Sequence, residues 1–203
     1  IADPKLSAQI EDIESTCRVI LQRLEEQPNM LSSLRTFLRY YLPAYLTAVG
    51  TMSSAATLPV ALSCARRSPA LSKTVTEFMI PLGATVHLCG SVLTETFFVM
   101  TISLMLYGTL PSVGTMAFFI VLFGIFAVGA PGVPGGTVMA SLGLVTSVLH
   151  FDPAGVALLL AIFALQDSFG TACNVTGDGA LTLFLTGYAR QHNIEEQHIH
   201  VDL

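Results

Sequence analysis

The sequence predicts an all-α membrane protein, with two re-entrant helical hairpins and two crossing helices in inverted repeat. Three observations predict it. Of the 203 residues 52% are hydrophobic and only 11% charged, and the mean hydropathy of +0.67 lies on the membrane side of globular usage. No Asp, Glu, Lys or Arg occurs between Glu95 and Asp152, a gap too long for a soluble domain with a wetted surface. Finally, an apolar stretch in each half is interrupted by Ser, Gly or Pro at a corresponding place, which marks paired discontinuous segments.

Residues 1–30 are of different composition. Ile10, Ile13, Cys17, Ile20, Leu21 and Leu24 recur at helical spacing among charged residues, predicting an amphipathic soluble or interfacial segment that does not span a bilayer. The chain opens on Ile1 without a charged start followed by an apolar core, which argues against a signal peptide and for a piece of something longer.

From residue 34 to 67, Arg35 and Arg39 precede an apolar arm, the polar tip Gly50 to Thr57 follows, and a second arm ends at Arg66 and Arg67. Positive residues at both ends put both ends on the cytoplasmic side, so the segment enters and returns. Arms of about fifteen residues or fewer are too short to cross, which predicts a first hairpin with its tip at depth.

Residues 73–107 then cross, with a break near Leu88-Cys89-Gly90-Ser91 and with Gly83 and Gly90 as places to unwind. After a turn at Thr109 to Ser112 comes a second hairpin, residues 115–149. Its Pro131-Gly132-Val133-Pro134-Gly135 run cannot continue a helix. Residues 153–189 cross back and deliver Arg190 and a hydrophilic tail, residues 191–203, to the cytoplasm.

The last crossing segment carries the chemistry. At about 100° per residue, Asp167, Thr171, Asn174 and Asp178 share one face of an otherwise apolar helix. Ionisable groups at mid-helix are costly in a bilayer and mark a substrate or ion pathway.

Other classes fit less well. The net charge of −5 and the absence of a basic stripe exclude a nucleic-acid partner. The four cysteines lack metal-site spacing and read as small apolar filler. His192, His198 and His200 read as a solvated tail rather than a nickel or zinc site. An intramembrane aspartyl protease needs two carboxylates within a few ångströms. Asp167 and Asp178 are about 16 Å apart on a straight helix, and Val175 stands two residues before Gly177, where such a protease has glycine. The chain is not expected to be an enzyme.

Four motifs carry a resemblance: Ser53-Ser54-Ala55-Ala56-Thr57-Leu58-Pro59, Pro81-Leu82-Gly83-Ala84-Thr85, Gly132-Val133-Pro134-Gly135 and Asn174-Val175-Thr176-Gly177-Asp178. Their order and spacing resemble the dicarboxylate/amino acid:cation symporters, the family of the glutamate transporters. Over roughly residues 35–190 the chain looks like the family's C-terminal transport domain. The resemblance implies a multi-pass protein of a bacterial inner or plasma membrane, in which this domain moves against an N-terminal scaffold that also forms a homotrimer.

The resemblance also implies roles. The backbone at Ser53, Ser54 and Val133 would cradle a substrate α-carboxylate, Asn174 would bind it by its amide, and Asp167 would take the α-ammonium. Ser91, Gly170 and Thr171 would complete the substrate site. Asp178, with carbonyls near Gly83 and Asn174, would hold one co-transported sodium ion, and a second would sit near Thr85, Ala127, Val128 and Ala130. A carboxylate and unwound carbonyls suit a hard cation, and half-helix N-termini suit an anionic carboxylate.

The departures from the family refine this. Carriers of glutamate and aspartate place Arg where Gly170 stands. With no positive charge in this helix before Arg190, a second substrate carboxylate would stay unpaired, at a cost of several kcal/mol. The expected cargo is therefore a small neutral amino acid of the serine, alanine or threonine type, carried with sodium by elevator-like alternating access. The family's Asn-Met-Asp-Gly run is His87-Leu88-Cys89-Gly90, which replaces two oxygen ligands of a further sodium site with imidazole and thiol. Glu95 falls near a glutamate linked in animal members to proton movement, so His87 and Glu95 raise proton coupling. Two alternatives stand beside this reading: a symporter of C4-dicarboxylates or acidic amino acids, proton-coupled in one form, and a transport-incompetent half lacking its scaffold.

Overall fold

In a computed structural model the structure describes residues 30–192 and residue 194. The predicted amphipathic segment and most of the tail, with His198 and His200, lie outside them. Residues from Thr36 onward form one compact unit. The described residues form seven helices and no strand: α1 Met30–Thr51, α2 Ser54–Arg67, α3 Lys73–Val86, α4 Cys89–Tyr107, α5 Val113–Val128, α6 Gly136–Ser147 and α7 Pro153–Gln191.

Local chemistry sets the starts. Ser53, Ser72, Ser112 and Asp152 each accept a hydrogen bond from a backbone N–H in the first turn of α2, α3, α5 and α7, satisfying a donor that the helix cannot. Pro153 fits the first position of α7, where its missing N–H costs nothing. Gly108 ends α4 at φ +73 and Gly135 leads into α6 at φ +74, conformations open to glycine. At the end of α1 the left-handed position falls instead on Met52, φ +52, which costs a non-glycine residue roughly 1–2 kcal/mol.

Two apolar clusters hold the helices, and α7 belongs to both. Toward its start Leu159 and Phe163 pack with Val99 and Ile102 of α4 and with Phe119 and Phe123 of α5. Farther along, Ala172 and Val175 pack with Phe37, Tyr41, Ala44 and Ala48 of α1, with Cys64 of α2 and with Ile80 of α3. Phe119 and Phe123 are wholly buried, so truncating either to Ala costs about 3–5 kcal/mol. The polar residues of α7 begin between these clusters, at Asp167 and Thr171, and continue among and past the second, at Asn174 and Asp178.

By length and composition, Lys73–Tyr107 and Pro153–Gln191 are apolar enough to cross a membrane, with mean hydropathies of 1.6 and 1.7. Leu104, Phe118, Val121, Ile125, Leu165 and Phe184 are all exposed, apolar surface of the kind that marks a membrane or protein contact.

Three details differ from the sequence reading. α1 is 22 residues long and begins at Met30, longer than the short arm expected, and it continues through Pro43. The break between α3 and α4 falls at His87 and Leu88, and neither Gly83 nor Gly90 unwinds. Both glycines are helical and serve close packing: a Cβ on Gly83 would land on the Asp178 carboxylate, and one on Gly90 would lie 2.5 Å from Cys173 Cβ and Gly170 O. Of the three cysteines among the described residues, Cys64 is buried filler, whereas Cys89 and Cys173 are exposed.

Candidate functional site

The polar face of α7 is buried along its length. Asp167 is 5%, Thr171 4%, Asn174 1% and Asp178 2% exposed, so helical spacing located four groups withdrawn from solvent. Asp167, Asn174 and Asp178 each meet a different neighbouring segment. Thr171 Oγ1 donates to Asp167 Oδ1 at 3.4 Å, and the backbone N–H of Gly135 donates to Asp167 Oδ2 at 2.8 Å. The tip before α6 is thereby tied to α7.

Asn174 caps a helix that cannot cap itself. Leu88 precedes α4 without a side-chain cap, leaving the first N–H groups orphaned. Asn174 Oδ1 accepts from Gly90 N at 2.7 Å and from Ser91 N at 3.3 Å, while its Nδ2 donates to Ser91 Oγ at 2.8 Å. The glycine at 90 makes this approach possible.

The tips before α2 and α6 meet. Ser53 Oγ donates to Gly132 O at 2.6 Å, and Ala55 N donates to the same carbonyl at 3.2 Å. A Cβ on Gly132 would stand 3.4 Å from Ala55 N and Ala84 O, so backbone passes close to backbone. Under this junction Ser54, Ser91, Val133, Asp167, Thr171 and Asn174 line a cavity of about 10 Å³. That holds roughly one water. A bound amino acid therefore requires the tips to part.

Below the cavity Asp178 faces the break. His87 Nδ1 is 2.9 Å from Asp178 Oδ1, and since an ionised carboxylate only accepts, the ring nitrogen is the donor. Gly177 gives the imidazole its room, because a Cβ there would collide with the ring. Among the described residues no group of three or more His, Cys, Asp or Glu side chains could hold a metal ion. A cation here would rely on one carboxylate and on carbonyl oxygens. Gly83 lies against that carboxylate, and its carbonyl accepts from His87 N at 2.8 Å.

The second predicted ion site is gathered less tightly. Ala127 and Ala130 are buried, but Thr85 and Val128 are exposed. Thr85 Oγ1 bonds Leu82 O of its own helix at 2.7 Å, and Ala127 O accepts from Ala130 N at 3.0 Å. Gly170 does not line the cavity; it packs against α4 beside Ser91, which does, and an added Cβ would be 3.4 Å from Ser91 Oγ and Thr94 Oγ1.

Glu95 is wholly buried on α4, away from His87. Ser141 Oγ of α6 donates to its Oε1, and its Oε2 has no hydrogen-bond partner among the described residues. Ser141, Met52, Thr137 and the Gly135 N–H escaped the sequence reading. Only Gly135 had a signal, since glycine after proline marks a turn whose N–H groups are free to point at a ligand.

An apolar helical chain with buried carboxylates and broken helix ends drawn together at mid-chain has the makings of a membrane carrier. Residues 30–187 match the family model described as the sodium:dicarboxylate symporter family, and the chain belongs to that family. It is similar to excitatory amino acid transporter 2 of Homo sapiens, 33% identical over 168 residues, which cover 79% of this chain and 28% of that one. Excitatory amino acid transporter 3 of Mus musculus is 36% identical over 140 residues, 66% of this chain and 25% of that one. Neutral amino acid transporter B(0) of Homo sapiens is 30% identical over 142 residues, 70% and 26%. The chain thus spans about a quarter of the length of the curated relatives it matches.

Proposed function

We propose that this chain forms the substrate- and ion-binding part of a sodium-coupled secondary active symporter of small neutral amino acids, working by elevator-like alternating access. One observation carries the reading: Asp167 and Asn174, Ser54 of the first tip and Gly132 and Val133 of the second line one small cavity, with Ser53 and Gly135 bonded across it. In it Asp167 takes the ammonium group, the amide of Asn174 and the tip N–H groups take the α-carboxylate, and Asp178 with carbonyls near Gly83 and Asn174 takes sodium. Ser91 and Thr171 complete the wall, with Gly170 packed beside Ser91, and Thr85, Ala127, Val128 and Ala130 supply a second, weaker ion site.

In this reading residues 31–190 are the transport domain. α1 and α2, and α5 and α6, are re-entrant hairpins, and α3–α4 and α7 are the crossing elements of an inverted repeat. A scaffold half and a homotrimer complete the assembly in a cell membrane. The neutral cargo follows from Gly170: the nearest helical cation in α7 is Arg190, at its far end, so nothing in the wall pairs a side-chain carboxylate. Both neutral and excitatory amino acid transporters occur among the relatives, which suits a site whose charge selectivity turns on few residues.

A second reading, an acidic cargo carried with a proton, draws on the unpartnered Oε2 of buried Glu95. Binding of a panel of neutral and acidic amino acids, with sodium and pH varied, separates the two. Sodium-dependent serine or alanine binding supports the first reading, and aspartate or succinate binding that strengthens as pH falls supports the second.

A further inference from the structure

We propose that the imidazole of His87 is a tethered competitor for the cation seat at Asp178, so that sodium gains the carboxylate only when the ring leaves it. This rests on the sodium reading of Asp178 above. Asp178 is 2% exposed, and among the described residues the one side chain that donates to its carboxylate is His87, at 2.9 Å. A ring N–H and a cation bound at Oδ1 both draw on that oxygen's lone pairs, so the two compete there. The contact needs no charge on the ring, because the neutral tautomer protonated at Nδ1 also donates.

The surroundings let the ring come and go. His87 stands between α3 and α4 with φ −104 and ψ 93, outside both helices, and its backbone N–H is already satisfied by Gly83 O at 2.8 Å. Side-chain rotation therefore withdraws the donor without opening a helix. The ring rests against Gly177, which has no side chain to wedge it in place. The His87 side chain is 23% exposed, against 2% for Asp178, so the imidazole has a way out that the carboxylate lacks. Because sodium must displace the ring to bind, its affinity is held down and its release is eased, which suits a carrier that must give up its ion each cycle.

The test is sodium titration of the whole chain in lipid nanodiscs, followed by calorimetry. It compares the wild type with His87→Phe, which keeps the ring volume without the N–H, and with His87→Ala, which removes both. Losing one hydrogen-bonded competitor tightens sodium binding about tenfold in each variant, and adding Asp178→Asn abolishes the gain. Sodium affinity that is unchanged or weaker in a folded His87→Phe protein overturns the proposal while leaving the sodium site intact. Sodium binding absent from the wild type and both variants overturns the sodium reading and the proposal together.

Discussion

Gly135 donates its backbone N–H to Asp167 Oδ2 at 2.8 Å, so the carboxylate assigned to the substrate ammonium is held by the tip that covers the site. On the proposed assignment, tip and substrate would compete for one acceptor, and cargo entry and tip opening would be one event. In this closed form Ser53 and Ala55 both reach Gly132 O, and the cavity beneath is about 10 Å³.

Removing that acceptor has two separable effects. Asp167→Ala deletes a charge-assisted contact worth roughly 1.5–3 kcal/mol, so amino-acid binding weakens by about tenfold to over a hundredfold and drops below detection at ordinary concentrations. The same change frees the tip, and amide exchange at Gly135 quickens. Equilibrium binding and hydrogen exchange check the two effects.

Gly170→Arg supplies the missing positive charge. An added Cβ meets only ordinary contacts, 3.4 Å from Ser91 Cα, Ser91 Oγ and Thr94 Oγ1, so the side chain has a place to start. The variant gains aspartate binding and loses affinity for serine or alanine in a competition assay. A variant that binds neither class of amino acid leaves the cargo assignment without support.

Asn174→Ala leaves Gly90 N and Ser91 N unsatisfied inside the protein. Each orphaned donor costs about 1–3 kcal/mol, so the variant unfolds at lower urea or lower temperature and also loses substrate affinity. Gly83→Ala behaves differently, because its Cβ lands on the Asp178 carboxylate. Sodium affinity falls more than substrate affinity measured at saturating sodium.

Asp152, in the turn before α7, accepts from Gly155 N at 2.9 Å and from Tyr107 Oη at 2.7 Å, and these bonds hold its carboxyl below the usual carboxylate range. Because folding lowers that pKa, the contribution to stability is complete above the unfolded value, about 3.9, and is lost as pH falls through the folded one. Thermal scans over that acid range give a wild-type melting temperature that falls more steeply than that of Asp152→Asn.

The sequence made some of this legible and hid the rest for physical reasons. Asp167, Thr171, Asn174 and Asp178 could be found because one helix fixes their spacing, and all four are buried on one face. The Pro131 to Gly135 interruption could be found because proline and glycine cannot continue a helix. Gly83 and Gly90 misled, since glycine permits both unwinding and close approach, and only the neighbours Asp178, Gly170 and Cys173 decide between them. The His87–Asp178 contact joins residues 91 positions apart, and no local pattern announces such a pair.

The central claim is that Asp178 couples cargo to sodium. The direct measurement is binding of serine or alanine across a sodium titration, in the wild type and in Asp178→Asn. The account predicts binding that rises with sodium in the wild type and loses that dependence in the variant. Binding indifferent to sodium in the wild type, or an unchanged sodium dependence in Asp178→Asn, contradicts it.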